Sequence, residues 1–478
     1  MIMSARYITT TIPYVNADPH IGFALEIVQA DVLARSWRKS GDEVFFSTGT
    51  DEHGQKIFDA AKKTGQDTQE YVDHYAAEVM KLKDALNLSN DAFIRTTDPS
   101  HIRAAQEMWR RCDANSDIYK KTYSGLYCVG CESFKTEKEL TDDKCQIHPN
   151  LALENVSEEN YFFRFSKYQN KLMEYLGRTD SIVPEWRRKE AIAFVNSGLE
   201  DFSISREKKR LSWGIQVPND DSQVMYVWFD ALTDYISTLG WPEDADENFK
   251  KFWENGTTLQ VAGKDQVRFQ SLMWQAMLMS ADIKTTDAVF YHGFINSGGQ
   301  KMSKSLGNVI SPLGLVKTYG TDAVRYILLR HVSPFEDSDL TPEAISEHYT
   351  AHLSNGLGNL VARVMKLAEE HLPNPIALTK EDEKTAEEFS KKIEEFKFNE
   401  AMDIVFAKIS AADVYMNTNE PYKKIKIDAD TARKDIEHLV RELYRVAVHL
   451  FAMMPRTSEI IKNAVQENKK PENLFPRL

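Results

Sequence analysis

The amino-acid order predicts an α/β protein: a parallel sheet wound from β-α-β units, interrupted by a cysteine-bearing insertion and followed by an all-helical segment. Three observations predict it. A β-branched run, an apolar helical repeat and a second β-branched run follow one another at the front of the chain. Two short pairs of soft metal ligands stand close together in the middle. Past Asp339 strand-like runs stop, and apolar residues recur only at helical spacing.

The first unit organises the rest. Tyr7 to Ile12 is rich in β-branched and aromatic residues and predicts a strand. A loop of Pro13, Tyr14, Val15, Asn16 and Ala17 follows. Asp18 is then expected to cap a helix, with Pro19 in its first turn, where no backbone N–H is lost. Ile21, Leu25, Val28 and Val32 recur at helical spacing, and Gly41 suits a left-handed end. Residues 43–48 predict a second strand, followed by Asp51, Glu52, His53 and Gly54. A right-handed crossover makes the strands parallel, so both end at the edge where open α/β sheets bind ligands. His20 and the first helical turn are expected there, with unpaired N–H groups aimed outward as a phosphate site. The chain has no G-x-G-x-x-G run, which argues against a dinucleotide cofactor.

Composition narrows the classes. A chain of 478 residues suffices for roughly two to four domains with ample core. It contains no apolar run of about 18 residues, so no membrane span is expected. The first strand starts too early to leave room for a secretory signal. Four cysteines in this length do not suggest a disulfide framework. The expectation is a cytoplasmic protein. Net charge is −13, against wholesale polyanion binding, yet residues 351–478 hold 20 Lys+Arg and 21 Asp+Glu and can still present a basic stripe.

Residues 56–85 and 100–112 read as helical, joined by a short strand at Ala92, Phe93, Ile94 and Arg95. The character then changes near Ile118. Cys128 and Cys131 are separated by 13 residues from Cys145, which His148 follows at the same close spacing. Two such pairs match a closed tetrahedral zinc site, and four protein ligands make it structural. Cys112 lies outside the pattern and reads as packing. Val224 to Asp230 is expected to be a buried strand of the resumed sheet, leading into a helix with Ala231, Leu232 and Tyr235. Residues 257–262 predict another strand, ending at Gly263, Lys264 and Asp265 before a helix with Phe269 and Leu272. Residues 288–295 predict a further strand, and the turn at Gly298 and Gly299 delivers Lys301-Met302-Ser303-Lys304-Ser305. Leu353, Leu357, Leu360, Val364 and Leu367 then open the helical segment.

The His20-Ile21-Gly22-Phe23 and Lys301-Met302-Ser303-Lys304-Ser305 segments together resemble the HIGH and KMSKS signatures of class I aminoacyl-tRNA synthetases. Stretches 7–56, 128–148, 226–235, 263–277, 301–312 and 355–363 look like the methionyl-tRNA synthetase family, so the likeness runs through the whole chain. It implies a Rossmann-type catalytic domain in halves 1–117 and 216–297, split by a zinc-knuckle insertion at 118–215. A connecting region at 298–350 and an α-helical anticodon-binding domain at 351–478 would complete the chain. It also implies ligation of L-methionine to tRNA(Met) through an ATP-derived adenylate, with Mg²⁺ accompanying ATP and one structural Zn²⁺ on Cys128, Cys131, Cys145 and His148.

By motif-wise carry-over, His20, Lys301 and Lys304 are catalytic, and His20, Gly22, Gly263, Asp265 and Lys304 hold ATP. Methionine falls to Ile12, Tyr14, Trp228, Ala231, Tyr235 and Phe269, with Asp51 on its ammonium and Arg206 as an ion-pair partner of that carboxylate. A thioether favours aromatic walls, and a buried ammonium needs a carboxylate. Asn355, Asn359 and Arg363, four residues apart, and Tyr422 are expected to read anticodon bases. Three positions depart from the family pattern: Phe23 for a histidine, Gln270 for a histidine after Phe269, and Tyr422 for a tryptophan. The insertion is too short for the large editing domain of the leucine, isoleucine and valine enzymes. A monomer is expected, since no OB-type dimerising domain follows residue 478. Two competing readings are a small-molecule nucleotidylyltransferase, which has no use for a zinc knuckle or an Asn/Arg-bearing helical domain, and a non-catalytic tRNA-binding relative, against which the intact Lys301 to Ser305 signature argues.

Overall fold

The structure is a computed structural model that describes residues 4–131, 133–135, 140–302 and 308–478, with backbone alone at Tyr123, Ser133 and Lys301. The chain divides into two compact units. One comprises Met1–Pro19, Gly41–Lys81 and Asn90–Tyr291; the other comprises His20–Ser40, Leu82–Ser89 and His292–Leu478.

The first unit is built on a six-stranded sheet. From one edge its strands are Ala92–Arg95 (β3), Glu43–Thr50 (β2), Ala5–Thr10 (β1), then Thr257–Gly263, Ala288–His292 and Ile182–Val183. β1 pairs in parallel with β2 on one side and with Thr257–Gly263 on the other. Strand order therefore reverses at β1, and the loops leaving β1 and Gly263 flank a topological switch point, where sheets of this kind open a crevice for ligands. The apolar runs of these strands are buried on both faces, as a parallel sheet requires. Tyr7 meets the edge of Trp253, which meets Trp274, giving an aromatic core under the sheet.

Two expectations of the sheet are corrected. Val224 to Asp230 is not a strand of the parallel sheet. Asp220–Met225 pairs antiparallel with Ser205–Glu207 and Gln216–Val217, and a short helix, Val227–Ala231, already holds Trp228 and Asp230. The run is apolar up to Phe229, and such a run looks alike in a buried strand and a buried helix. The predicted strand 288–295 is two strands, Ala288–His292 and Ile295–Ser297, in different sheets. It breaks at Gly293, where an added Cβ would lie 2.2 Å from the Glu336 backbone, so the close approach needs glycine. The parallel sheet also draws its last edge strand, Ile182–Val183, from far upstream of its neighbour Val289–Phe290.

A separate antiparallel sheet carries Cys128, and Cys145 lies on a two-stranded pair of its own, Leu140–Thr141 with Lys144–Cys145. Ile118–Cys128 pairs with Glu154–Phe163 and with Ser133–Lys135. Cys112 lies in the core of this unit, fully buried, as expected of a packing residue.

The second unit is mostly helical. Helix α1, Ile21–Lys39, belongs to it, and Asp31 on α1 forms a fully buried ion pair with Arg325 at 2.8 Å. Ser89 N–H and Oγ also donate to Asp31, so the buried carboxylate is satisfied from several directions. Leu353, Leu357, Leu360 and Val364 are buried, as their spacing predicts, although Tyr349–Gly358 winds as a π-helix before the α-helix Asn359–His371. Phe398–Asn419, Ala429–Leu450 and Pro455–Glu467 complete the helical packing. No helix among the described residues is long and apolar enough to cross a membrane.

Candidate active site

In the first unit, the loop after β1 and the start of the segment after β2 are tied together. Asp51 N–H donates to Pro13 O at 3.0 Å and Val15 N–H to Asp51 O at 3.2 Å, placing Tyr14 and Asp51 side by side in a parallel bridge. The Tyr14 ring meets Trp228 edge-on at 6.3 Å, and Trp228 lies flat on Phe269 with centroids 3.9 Å apart. Tyr14, Trp228 and Phe269 are half-buried, so they form a wall rather than sealed core. Ala231 and Tyr235 follow Trp228 at helical spacing and are buried. Ile12 is half-buried in the same loop as Tyr14. The residues expected to hold methionine thus largely converge. The Asp51 carboxylate is buried and accepts from His53 N–H at 3.3 Å.

Gln270 is buried. Its Nε2 donates to the Tyr235 hydroxyl at 2.6 Å, while its buried Oε1 has no hydrogen-bond partner among the described residues. Arg206 is buried; its guanidinium donates to Ser203 Oγ at 2.9 Å and Ser205 O at 2.7 Å and lies over the Tyr226 ring at 4.6 Å. Gly263 and Asp265 stand at the end of the strand beside β1, Gly263 buried as its last residue and Asp265 in the following turn.

Sequence reasoning missed a buried network in this unit. Asp230 receives His53 at 2.9 Å and His101 at 3.0 Å, one imidazole on each oxygen. Burial alone would raise this carboxyl, but the two histidines outweigh it and hold Asp230 below the usual carboxylate range. Trp213 Nε1 donates to Glu52 O at 2.6 Å, and Arg95 grips the Glu52 carboxylate with two nitrogens. The clue was the Asp51-Glu52-His53 run itself, but its partners lie far away in sequence.

In the second unit, α1 begins differently from expectation. Its cap is His20, not Asp18: the His20 Nδ1 accepts from Gly22 N–H at 3.1 Å and Phe23 N–H at 3.4 Å. Ile21 N–H donates to Ile310 O at 3.1 Å. The first-turn N–H groups are therefore engaged, and the expectation that they point outward unpaired is corrected. An imidazole accepting through Nδ1 carries its hydrogen on Nε2, and His20 is exposed. At Gly22 a Cβ would lie 3.0 Å from the His20 ring, tight enough that the ring would have to shift. Phe23 is buried. Gly298 and Gly299 take left-handed φ values of 65° and 72° in the hairpin joining Ile295–Ser297 to Gln300–Lys301. The Lys301 side chain and Lys304 lie outside the described residues.

The metal ligands converge. Cys128, Cys131, Cys145 and His148 form a cluster able to hold a metal ion. Cys131 Sγ stands 3.5 Å from Cys145 Sγ and 3.2 Å from His148 Nδ1, and Cys128 Sγ is 3.9 Å from the same nitrogen. These are the edge lengths of a tetrahedron around a small soft cation. Gly130 supports it: a Cβ there would lie 2.5 Å from the His148 ring, so only glycine lets the ring close on the thiols.

In the helical region Asn355 and Asn359 are exposed, and Tyr422 is 39% exposed. Arg363 is engaged with its neighbours, donating to Asp413 at 3.1 Å and Asn417 at 3.0 Å.

The model for class I tRNA synthetases of the methionine type, tRNA synthetases class I (M), matches residues 6–146 and 135–365. A methionine–tRNA ligase of Rhizobium meliloti is 41% identical over 474 residues, covering 95% of this chain and 90% of the relative. The Mycobacterium tuberculosis methionyl-tRNA synthetase in complex with methionyl-adenylate superposes with a TM-score of 0.88 at 36% identity, over 96% of this chain and 93% of that one. Its apo form gives a TM-score of 0.82 at 32% identity, over 100% and 98%. With strand order, aromatic wall, capped helix and cysteine cluster all present, the chain belongs to the methionyl-tRNA synthetase family of class I.

Proposed function

We propose that this protein is a methionine–tRNA ligase. The methionine carboxylate oxygen attacks the α-phosphorus of ATP, the bond to the β-phosphate oxygen breaks, and pyrophosphate leaves. A ribose hydroxyl of the terminal adenosine of tRNA(Met) then attacks the adenylate carbonyl, and AMP departs with the electron pair. The observation that carries this reading is the aromatic wall of Tyr14, Trp228 and Phe269 beside the buried Asp51 carboxylate, in a chain of this family.

Each residue has a physical task. The stacked rings give a polarisable lining for a thioether. Tyr235, receiving Gln270, directs its own hydrogen to a different acceptor, which suits the weak acceptor strength of sulfur. Asp51 neutralises the substrate ammonium, and Arg206 is held ready as a fixed cation. His20 Nε2–H, Gly22, Gly263 and Asp265 take the nucleotide, which enters as its Mg²⁺ complex. Lys301 and Lys304 supply positive charge where it develops on the transferring phosphate. Zinc is the metal we assign to the three thiolates and one imidazole. Bound there, it would tie the Cys128 turn to the Cys145 turn and contribute directly to folding of the insertion. Asn355, Asn359, Arg363 and Tyr422 face the anticodon, and the enzyme acts as a cytoplasmic monomer.

The test is methionine-dependent ATP–pyrophosphate exchange followed by aminoacylation of tRNA(Met). Both activities are expected. Exchange without aminoacylation would favour a nucleotidylyltransferase, and neither would favour a tRNA-binding relative without catalysis.

A further inference from the structure

Three histidines of the second unit, none of them assigned a role above, converge. His331 caps the C-terminal end of the helix Thr321–Arg330, His348 ends the helix Pro342–His348, and His352 lies one turn on in the π-helical segment Tyr349–Gly358. His348 and His352 have the four-residue spacing that puts two imidazoles on one helix face, a recurring metal-ligating arrangement. The His331 and His348 rings stack 3.6 Å apart, and His352 lies 5.6 Å from the first and 5.8 Å from the second. Their ligand nitrogens all fall within 4.8 Å of one another, and all three residues are half-buried, so an ion can reach them.

We propose that His331, His348 and His352 form a second metal site, taking a divalent ion of imidazole preference such as Zn²⁺, Ni²⁺ or Cu²⁺.

Tyr326 sets up the donors. Its hydroxyl contacts His352 Nδ1 at 2.6 Å and His331 Nε2 at 2.9 Å, and receives Arg330 at 3.1 Å. One hydroxyl hydrogen can serve only one of these rings. The other ring must donate to the oxygen, and its remaining nitrogen then carries a lone pair. Whichever tautomer is present, one imidazole is thus oriented by a hydrogen bond on one nitrogen and offers the other as a ligand, the arrangement that surrounds protein-bound metals. Arg330 adds an opposing charge, which Asp403 offsets at 2.9 Å. The helix end at His331 presents carbonyl oxygens, a partial negative charge favourable to a cation.

The stacked rings lie within 6° of parallel, so their lone pairs do not yet point at one locus. Rotation about χ2, a soft torsion in histidine, brings them together. Three protein ligands leave the ion at least one open position. Nickel chemistry separates this site from the cysteine cluster, which is first filled with zinc.

The full chain, preloaded with one equivalent of Zn²⁺, is dialysed against increasing Ni²⁺. One further saturable Ni²⁺ per chain is expected. His348→Ala and His352→Ala should each abolish it, and Tyr326→Phe should weaken it by about tenfold or more. Circular dichroism establishes that the variants fold. Should a variant fail to fold, an anomalous map from Ni²⁺-soaked wild-type crystals decides, with a peak expected within ligating distance of all three rings. No saturable Ni²⁺ in the wild type, equal binding by folded variants, or anomalous peaks only at other histidines would overturn the proposal.

Discussion

Gln270 Nε2 lies 2.6 Å from the Tyr235 hydroxyl, and both side chains are buried. The amide donates to the hydroxyl oxygen, so the hydroxyl hydrogen is not directed at Gln270 Nε2. Gln270→Leu removes that donor and should raise the methionine KM roughly two- to tenfold, the weight of one neutral hydrogen bond, with ATP little affected. Gln270→His should keep a donor in place and stay close to wild type. Steady-state pyrophosphate exchange at varied methionine measures both; equal KM values for wild type and Gln270→Leu would detach Tyr235 from the substrate.

Lys304→Ala should slow adenylate formation by roughly 10²–10³ while changing methionine binding little, as expected when one donor to transition-state charge is lost. Exchange rates and equilibrium methionine binding, compared in wild type and variant, test the split.

The cysteine cluster predicts metal dependence. Cys145→Ala should lose zinc, and Gly130→Ala should weaken its retention because the new Cβ meets the His148 ring at 2.5 Å. Metal content by mass spectrometry and hydrogen exchange over the strands Ile118–Cys128 and Glu154–Phe163 follow both effects. Full zinc in Cys145→Ala would remove that residue from the site.

Asp234 gives a pH prediction. Burial, with Asp230 adding to it, pushes this carboxyl well above the usual range, and its Oδ1 has no partner among the described residues. The native state holds a proton that the unfolded chain releases near pH ~3.9. Stability contributed by this group is present below that pH and falls as pH rises toward the native pKa. Asp234→Asn keeps the shape without the proton to lose. Its melting temperature should exceed wild type at pH 7 and match it near pH 4. A variant equally or less stable at pH 7 would show the carboxylate to be charged in the native protein.

Tyr422 separates the two steps of the reaction. It is exposed and makes a 3.2 Å bond to Glu420, so its loss should disturb little of the helical packing. Tyr422→Ala should reduce aminoacylation by about tenfold through lost base stacking, worth roughly 1–3 kcal/mol, and leave pyrophosphate exchange intact. Arg363→Ala should show the same pattern with some loss of stability, because Arg363 also holds Asp413 and Asn417. Unimpaired aminoacylation in Tyr422→Ala would place anticodon reading elsewhere.

The sequence by itself determined what depends on local order. Strands β1 and β2 follow from β-branched and aromatic runs, and the helical segment follows from leucines at helical spacing. The cysteine cluster was legible because its four ligands lie within one short stretch, so chain connectivity alone brings them together. Only the tertiary structure decided what depends on meetings between distant residues. His20 rather than Asp18 caps α1, because the imidazole folds back on its own helix. Trp228 stands on a helix, since its apolar run fits either element until packing chooses. Asp230 lies between His53 and His101, and His331 joins His348 and His352, through contacts that no periodicity encodes. Local propensities act over a few residues, whereas these sites arise only after the chain has folded and burial requires each polar group to find its partner.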